Sequence, residues 1–383
     1  MDNQSVITEF LTLQEIILHA RRTLPAEVWD FIMGGGESEA TLKRNRHALD
    51  CLGFRSQTFT DVSSVDASGC VLGHACALPV VLAPMGSISL IDEHGALAAA
   101  DAAAKFGVVS FMSSVADPGP EKLIEGSSCP LVYTLFIQGD DDWLKTQVNR
   151  ACELGFKAIA VLADTAYYSR RDRDVMNKLG SKVEPATTYA NIQRTLRGRP
   201  ASERAVHPML YPATVTWETF ESVKRLSTVP VIAKGISSAT SARQALDHGA
   251  DAIYVSNHGG RQLDHQPSSV DMLVEVVDAI GGEAEILVDG GCMRGADIVK
   301  FIALGATAVG IGKLQALALG AGGAAALHRA LEILEEEVVV NLGLMGVTRF
   351  SDLTPNNLRA LPALGSDHPL APFPVVMEQL GLR

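Results

Sequence analysis

A (β/α)8 TIM barrel of the α/β class, preceded by helices and interrupted by a long segment after its fourth strand, is predicted by three observations. From Leu78 onward eight short apolar runs recur, each followed by a polar or glycine-rich patch and then an amphipathic helix. No G-x-G-x-x-G follows the first run, which disfavours a doubly wound open sheet, the alternative for this alternation. The runs also end at residues suited to chemistry, and in a barrel the C-terminal ends of the strands carry the active site.

In chain order, residues 11–23 carry apolar side chains at helical spacing, and Pro25 suits the first turn of a second helix at 26–33. Gly34-Gly35-Gly36 ends that helix, and a third, charged one is expected over 37–49. Residues 50–78 alternate short apolar and polar runs, as a capping hairpin does. The barrel strands are expected at 79–83, 108–112, 131–135, 158–163, 229–233, 252–255, 285–288 and 307–311. Their ends bear Pro84-Met85-Gly86, Ser113-Ser114, Phe136, Asp164, Lys234, His258, Asp289-Gly290-Gly291 and Gly312-Lys313. The chain therefore reads as one domain: helices and cap over 1–78, barrel over 79–355, and a tail over 356–383.

The connection over 165–216 breaks the rhythm, having no sustained apolar period before a helix near 217–226. It holds nine Lys or Arg against four Asp or Glu in an otherwise acidic chain. A solvated loop and a cover that attracts an anionic substrate both fit that composition.

Composition excludes several classes. A net charge of −12 and a pI near 5.3 argue against general nucleic-acid binding. No signal peptide is evident, and the longest apolar stretch, 303–327, is broken by Lys313 and Gln315, so no membrane association is expected. Six scattered cysteines form no C-x-x-C pair, so neither a zinc site nor a disulfide set is expected. These features point to a soluble cytoplasmic protein acting on a small molecule.

The stretch Ser256-Asn257-His258-Gly259-Gly260-Arg261-Gln262-Leu263-Asp264 follows a buried-looking strand. By themselves its residues fit either a polar turn or a site. His258 can accept a proton near neutral pH, and Arg261 can grip a carboxylate with two parallel hydrogen bonds. As a nine-residue string it resembles the signature of the FMN-dependent 2-hydroxy acid oxidase and dehydrogenase family, which includes glycolate oxidase, lactate oxidase and mandelate dehydrogenase. The resemblance extends over about residues 10–355.

The resemblance implies the same barrel, FMN as cofactor, a 2-hydroxy acid substrate and a homo-oligomer, commonly a tetramer. It implies that His258 is the base, Asp164 its carboxylate partner, and Lys234 the charge beside the flavin N1 and O2 atoms. Arg261 would bind the substrate carboxylate, with Arg171 also at the substrate. Pro84, Met85, Gly86, Ser113, Thr134 and Ser256 correspond to residues that contact the flavin. Asp289, Gly290, Gly291 and Gly312 resemble the phosphate cradle.

Several positions depart from the family pattern. Met293 stands where an arginine is usual, leaving Arg294 and Lys313 as the expected sources of positive charge at the phosphate. Phe31 and Phe136 occupy the places of two tyrosines that contact substrate, and Leu162 replaces a polar residue near the flavin. A lost hydrogen bond to a charged group costs about 1.5–3 kcal/mol. The expected substrate is therefore a bulky or apolar 2-hydroxy acid rather than glycolate or lactate. Gly86 replaces the alanine of many oxidases and leaves the electron acceptor open. The membrane-binding insert of some mandelate dehydrogenases falls within 165–216, where this chain has no supporting apolar run. The alternatives are flavin-dependent oxidation of an amine or of an alcohol lacking a carboxylate, and a barrel that binds a ligand without catalysis.

Overall fold

The computed structural model describes residues 10–177, 179, 208–363 and 365–382. Three helices open the chain: α1 (Leu13–Thr23), α2 (Ala26–Met33) and α3 (Ala40–Asp50). The first starts at a reciprocal cap between Thr12 and Glu15 and ends with Arg21 and Arg22, charges that suit each end of the helix dipole. The third begins three residues later than the sequence suggested, because Glu37 and Glu39 take left-handed backbone conformations at φ 39 and 61°. Asp264, far away in sequence, accepts hydrogen bonds from the Ser38, Ala40 and Thr41 amides and so caps the start of α3.

Three short strands follow: β1 (Leu52–Phe54), β2 (Gly69–Val71) and β3 (His74–Cys76). The last two form the expected hairpin, and it plugs the barrel. Val71 and Cys76 join the interior cluster of Val81, Phe111, Ile232 and Tyr254. The Leu72 amide donates to Glu285 at the start of a barrel strand, so the plug sits at the N-terminal end.

The remaining elements alternate as β4 (Val80–Leu82), α4 (Gly95–Phe106), β5 (Val109–Ser113), α5 (Pro120–Gly126), β6 (Leu131–Leu135), α6 (Asp141–Glu153) and β7 (Ala158–Leu162). They continue as α7 (Asp172–Met176), α8 (Trp217–Leu226), β8 (Val231–Ile236), α9 (Ala239–Asp247), β9 (Ala252–Val255), α10 (Ser269–Ile280) and β10 (Glu285–Asp289). The chain closes with α11 (Gly295–Ala303), β11 (Ala308–Ile311), α12 (Lys313–Met345), β12 (Leu358–Ala360) and α13 (Pro374–Gln379). Strands β4 to β11 form a closed parallel barrel of eight, with β11 pairing back onto β4. Successive side chains alternate between its two faces, as strand geometry requires: Val81 points into the barrel cluster, while Val80 and Leu82 pack against the helices.

Helix α12 alone is long and apolar enough to cross a membrane by length and composition, among the described residues. It is kinked at Gly322–Gly323 and packs against α1, α4 and α11. Of the segment 165–216, residues 178 and 180–207 lie outside the described residues, and the described part includes α7, packed against α2. The tail belongs to the same body: β12 pairs antiparallel with β1, and α13 packs on α1.

Candidate active site

At the C-terminal ends of the barrel strands lies a cavity of about 250 Å³. Strand β9 runs out into Asn257, His258 and two glycines. His258 itself adopts φ 58°, followed by Gly259 and Gly260 at 63 and 75°. The tight loop packs directly on α3: a Cβ at Gly260 would lie 2.5 Å from the Leu42 amide nitrogen. Asn257 is fixed by a reciprocal pair of side-chain hydrogen bonds with Asn45 of α3, at 2.8 and 2.9 Å. His258 is thus mounted on two elements distant in sequence.

His258 Nδ1 lies 3.2 Å from Asp164 Oδ1, across from the end of β7. Burial works to raise the Asp164 carboxyl, but His258 and Lys234 outweigh it and hold it below its ordinary value. A charged Asp164 draws the ring proton to Nδ1, leaving Nε2 as the nitrogen able to accept another. Lys234, on β8, is 3% exposed and pairs with Asp289 at 3.1 Å. Its ammonium also sits 4.0 Å above the Tyr254 ring. Ser256 donates to Asp289 at 2.6 Å and accepts from Lys234 and from the His258 amide. Ser256, expected to contact the cofactor, does not line the cavity; it braces the groups that do.

Across the cavity is a cluster of cations. Arg261 donates to the Phe31 and Gly34 carbonyls at the end of α2, and its guanidinium lies 4.7 Å above the Phe31 ring. Lys313 donates to the Ile32 and Gly34 carbonyls at 2.9 and 3.3 Å. Arg171 bonds the Arg261 carbonyl and Gln262. Burial first, then the neighbouring Arg171, pushes Arg261 down to about 9, while burial and Arg261 push Lys313 well below its ordinary value. Both shifts are what buried cations show where negative charge is scarce. Phe136 meets Tyr168 edge-on at 5.7 Å and both line the cavity, as do Phe31, Leu162 and Leu179.

Pro84, Met85, Gly86, Ser113, Thr134, Asp289, Gly290, Gly291, Gly312 and Lys313 line the same cavity. One further expectation needs correction. Arg294 is absent from the cavity wall: it forms an ion pair with Glu337 of α12 at 2.7 Å and stacks 5.2 Å over Phe373. At the N-cap of α11, its side chain turns to α12 and to the C-terminal tail. Lys313 starts α12 on the cavity and sends its ammonium to the carbonyls that end α2, beside Arg261.

Sequence reading missed Arg46, which lines the cavity near Gly291 while 2% exposed and paired with Asp50 and Asp297. Its helix resembles a charged, solvated one, and only the distant Asp297 explains its burial. Tyr168, Asp174, Leu179 and Pro369 were also missed. They come from the segment after β7, with its short helix α7, and from the tail, where no sustained periodic pattern points inward.

Residues 20–360 match the FMN-dependent dehydrogenase family. The chain belongs to that family. It is 33% identical to a glycolate oxidase of Oryza sativa subsp. indica over 96% of this chain and 99% of that protein. A peroxisomal (S)-2-hydroxyacid oxidase of Arabidopsis thaliana is 32% identical over 89% of this chain and 94% of its own length. Among solved structures, mandelate oxidase bound to benzoyl-formic acid superposes with a TM-score of 0.80, at 32% identity, over 93% of this chain and all of the other. The family is that of FMN-dependent enzymes acting on the CH–OH group of 2-hydroxy acids, so FMN is the cofactor here.

The residues present fit that group. Thr134 Oγ1 is buried on the cavity wall without a hydrogen-bond partner, as a polar-edged ligand would require. The start of α12 opens on the cavity at Gly312, where an added Cβ would meet nothing nearer than 3.8 Å. A helix N-terminus with that clearance suits a phosphate.

Proposed function

We propose that this protein oxidises a bulky or apolar (S)-2-hydroxy acid to the corresponding 2-oxo acid. The observation that carries the reading is the make-up of one wall, where Arg261 lies over Phe31 and Phe136 meets Tyr168, so cations and aromatic rings share the surface. The cations suit a carboxylate, and the rings suit a hydrocarbon side chain. Phenylalanines at both positions withhold the hydroxyls that would otherwise favour a small acid.

Bound FMN supplies the two-electron acceptor. Arg261, with Arg171 beside it, holds the carboxylate and so fixes the carbinol carbon. His258 takes the hydroxyl proton at Nε2, and Asp164 stabilises the imidazolium formed. Lys234, already fixed by Asp289 and Ser256, provides positive charge near the cofactor without reorganising.

The test is an anaerobic absorption titration of the yellow holoprotein with 2-hydroxy acids of increasing side-chain size. Bleaching by an aryl or long-chain acid at lower concentration than by glycolate is expected; the reverse order overturns the substrate assignment. Readmitting oxygen then distinguishes an oxidase from a dehydrogenase. We also propose a homo-oligomer, tetrameric by family analogy, testable by sedimentation. A cytoplasmic location, consistent with six free cysteines, is testable by cell fractionation.

A further inference from the structure

The family match ends at residue 360, yet the tail beyond it reaches the cavity. Ser366 and Asp367 are exposed, after which the chain turns inward: Pro369 is buried and lines the cavity wall. Leu370 and Phe373 are fully buried behind it. The turn is tied by hydrogen bonds from the Ala371 amide to the His368 carbonyl and from the Leu370 amide to His368 Nδ1, at 2.8 and 3.1 Å. Beyond it, the Val375 amide donates to Gln14 of the first helix, and Arg294 covers the Phe373 ring. Pro369 is therefore anchored by packing, by the two hydrogen bonds of its turn and by two contacts to other elements.

The location is specific. His368 lies within electrostatic reach of Arg173, Glu39 and Lys43. Arg173 and Glu39 form the ion pair joining α7 to the start of α3. The strap thus meets the cavity beside the segment that carries Arg171, Asp174 and Leu179.

We propose that this C-terminal strap is a specificity-determining wall of the substrate site, with Pro369 limiting how far the substrate side chain extends. The inference rests on the 2-hydroxy acid reading above. Proline presents a stiff hydrocarbon ring and no N–H, so it favours an apolar group and offers a polar one nothing to bond.

The test uses holoprotein and carboxylates lacking the hydroxyl, acetate and 4-phenylbutyrate, with binding read from perturbation of the flavin spectrum. Pro369→Ala is expected to improve 4-phenylbutyrate relative to acetate by roughly four- to fifteenfold, the worth of one or two methylenes of contact. Pro369→Met is expected to shift the ratio the opposite way. Ratios within about twofold of the parent for both variants overturn the proposal. In the unaltered holoprotein, saturating 4-phenylbutyrate is expected to slow amide hydrogen exchange over residues 368–373 more than acetate does. Equal exchange with the two ligands also overturns it. These ligands cannot be oxidised at a carbinol, so the outcomes are separable. Shifted ratios with no oxidation of any 2-hydroxy acid sink the function reading and leave the strap. Intact oxidation with unshifted ratios sinks the strap alone.

Discussion

On the Lys234 side of the cavity each polar group has its partner in place: Lys234 pairs with Asp289 at 3.1 Å, and His258 lies 3.2 Å from Asp164. On the other side, Arg261 and Lys313 are held by the carbonyls that end α2, and among the described residues no carboxylate comes within ion-pair distance of either. Asp174, within reach of both Arg261 and Arg171, is itself raised by burial. A buried charge with its partner in place is fixed and already compensated; a buried cation without one favours any anion that enters. The first wall is thereby suited to moving a proton and steadying charge, the second to capturing a carboxylate.

The largest effect is expected on the paired wall. His258→Ala is expected to slow anaerobic flavin reduction by about 10²- to 10⁴-fold in stopped-flow measurements; an unchanged rate removes His258 as the base. The cation wall is tested next. Arg261→Met removes a hydrogen-bonded charge worth about 1.5–3 kcal/mol, or roughly 10- to 150-fold. That loss is expected in kcat/KM, chiefly through KM; a loss confined to kcat would mean that Arg261 does not hold the ground-state carboxylate.

Asp264 supports both walls, because it caps α3, the helix on which the loop from His258 to Arg261 packs. Asp264→Asn is expected to cost about 1–3 kcal/mol in urea unfolding at neutral pH. Hydrogen bonds from Ser38 and from the Thr41 amide hold the Asp264 carboxyl well below its ordinary value, against the effect of burial. Its contribution is therefore present above the unfolded value of about 3.9 and is lost as pH falls through the lower native value. The parent and variant are expected to converge in strong acid; a constant difference across pH would show that its charge is irrelevant. The smallest effect belongs to a residue on neither wall. Arg294→Ala is expected to leave the FMN dissociation constant within about twofold and to cost about 1 kcal/mol through Glu337 and Phe373. A large loss of FMN would return Arg294 to the cofactor site.

The alternation of apolar runs with helices determined the barrel, because strand and helix periodicities are local and burial enforces them. The strand ends carrying His258, Asp164 and Lys234 were legible for the same reason: once the barrel is known, position along a strand decides which end a side chain occupies. Start and end points shifted where backbone conformation intervened, as at Glu39. Tertiary structure alone decided which charges meet. Nothing local distinguishes Arg294, turned to Glu337, from Arg46, buried against Asp297, since each partner lies on another helix. Nor does any periodicity bring Pro369 to the cavity: an irregular segment is placed by what it packs against, and Leu370 and Phe373 find their burial only after the barrel and its first helix have assembled.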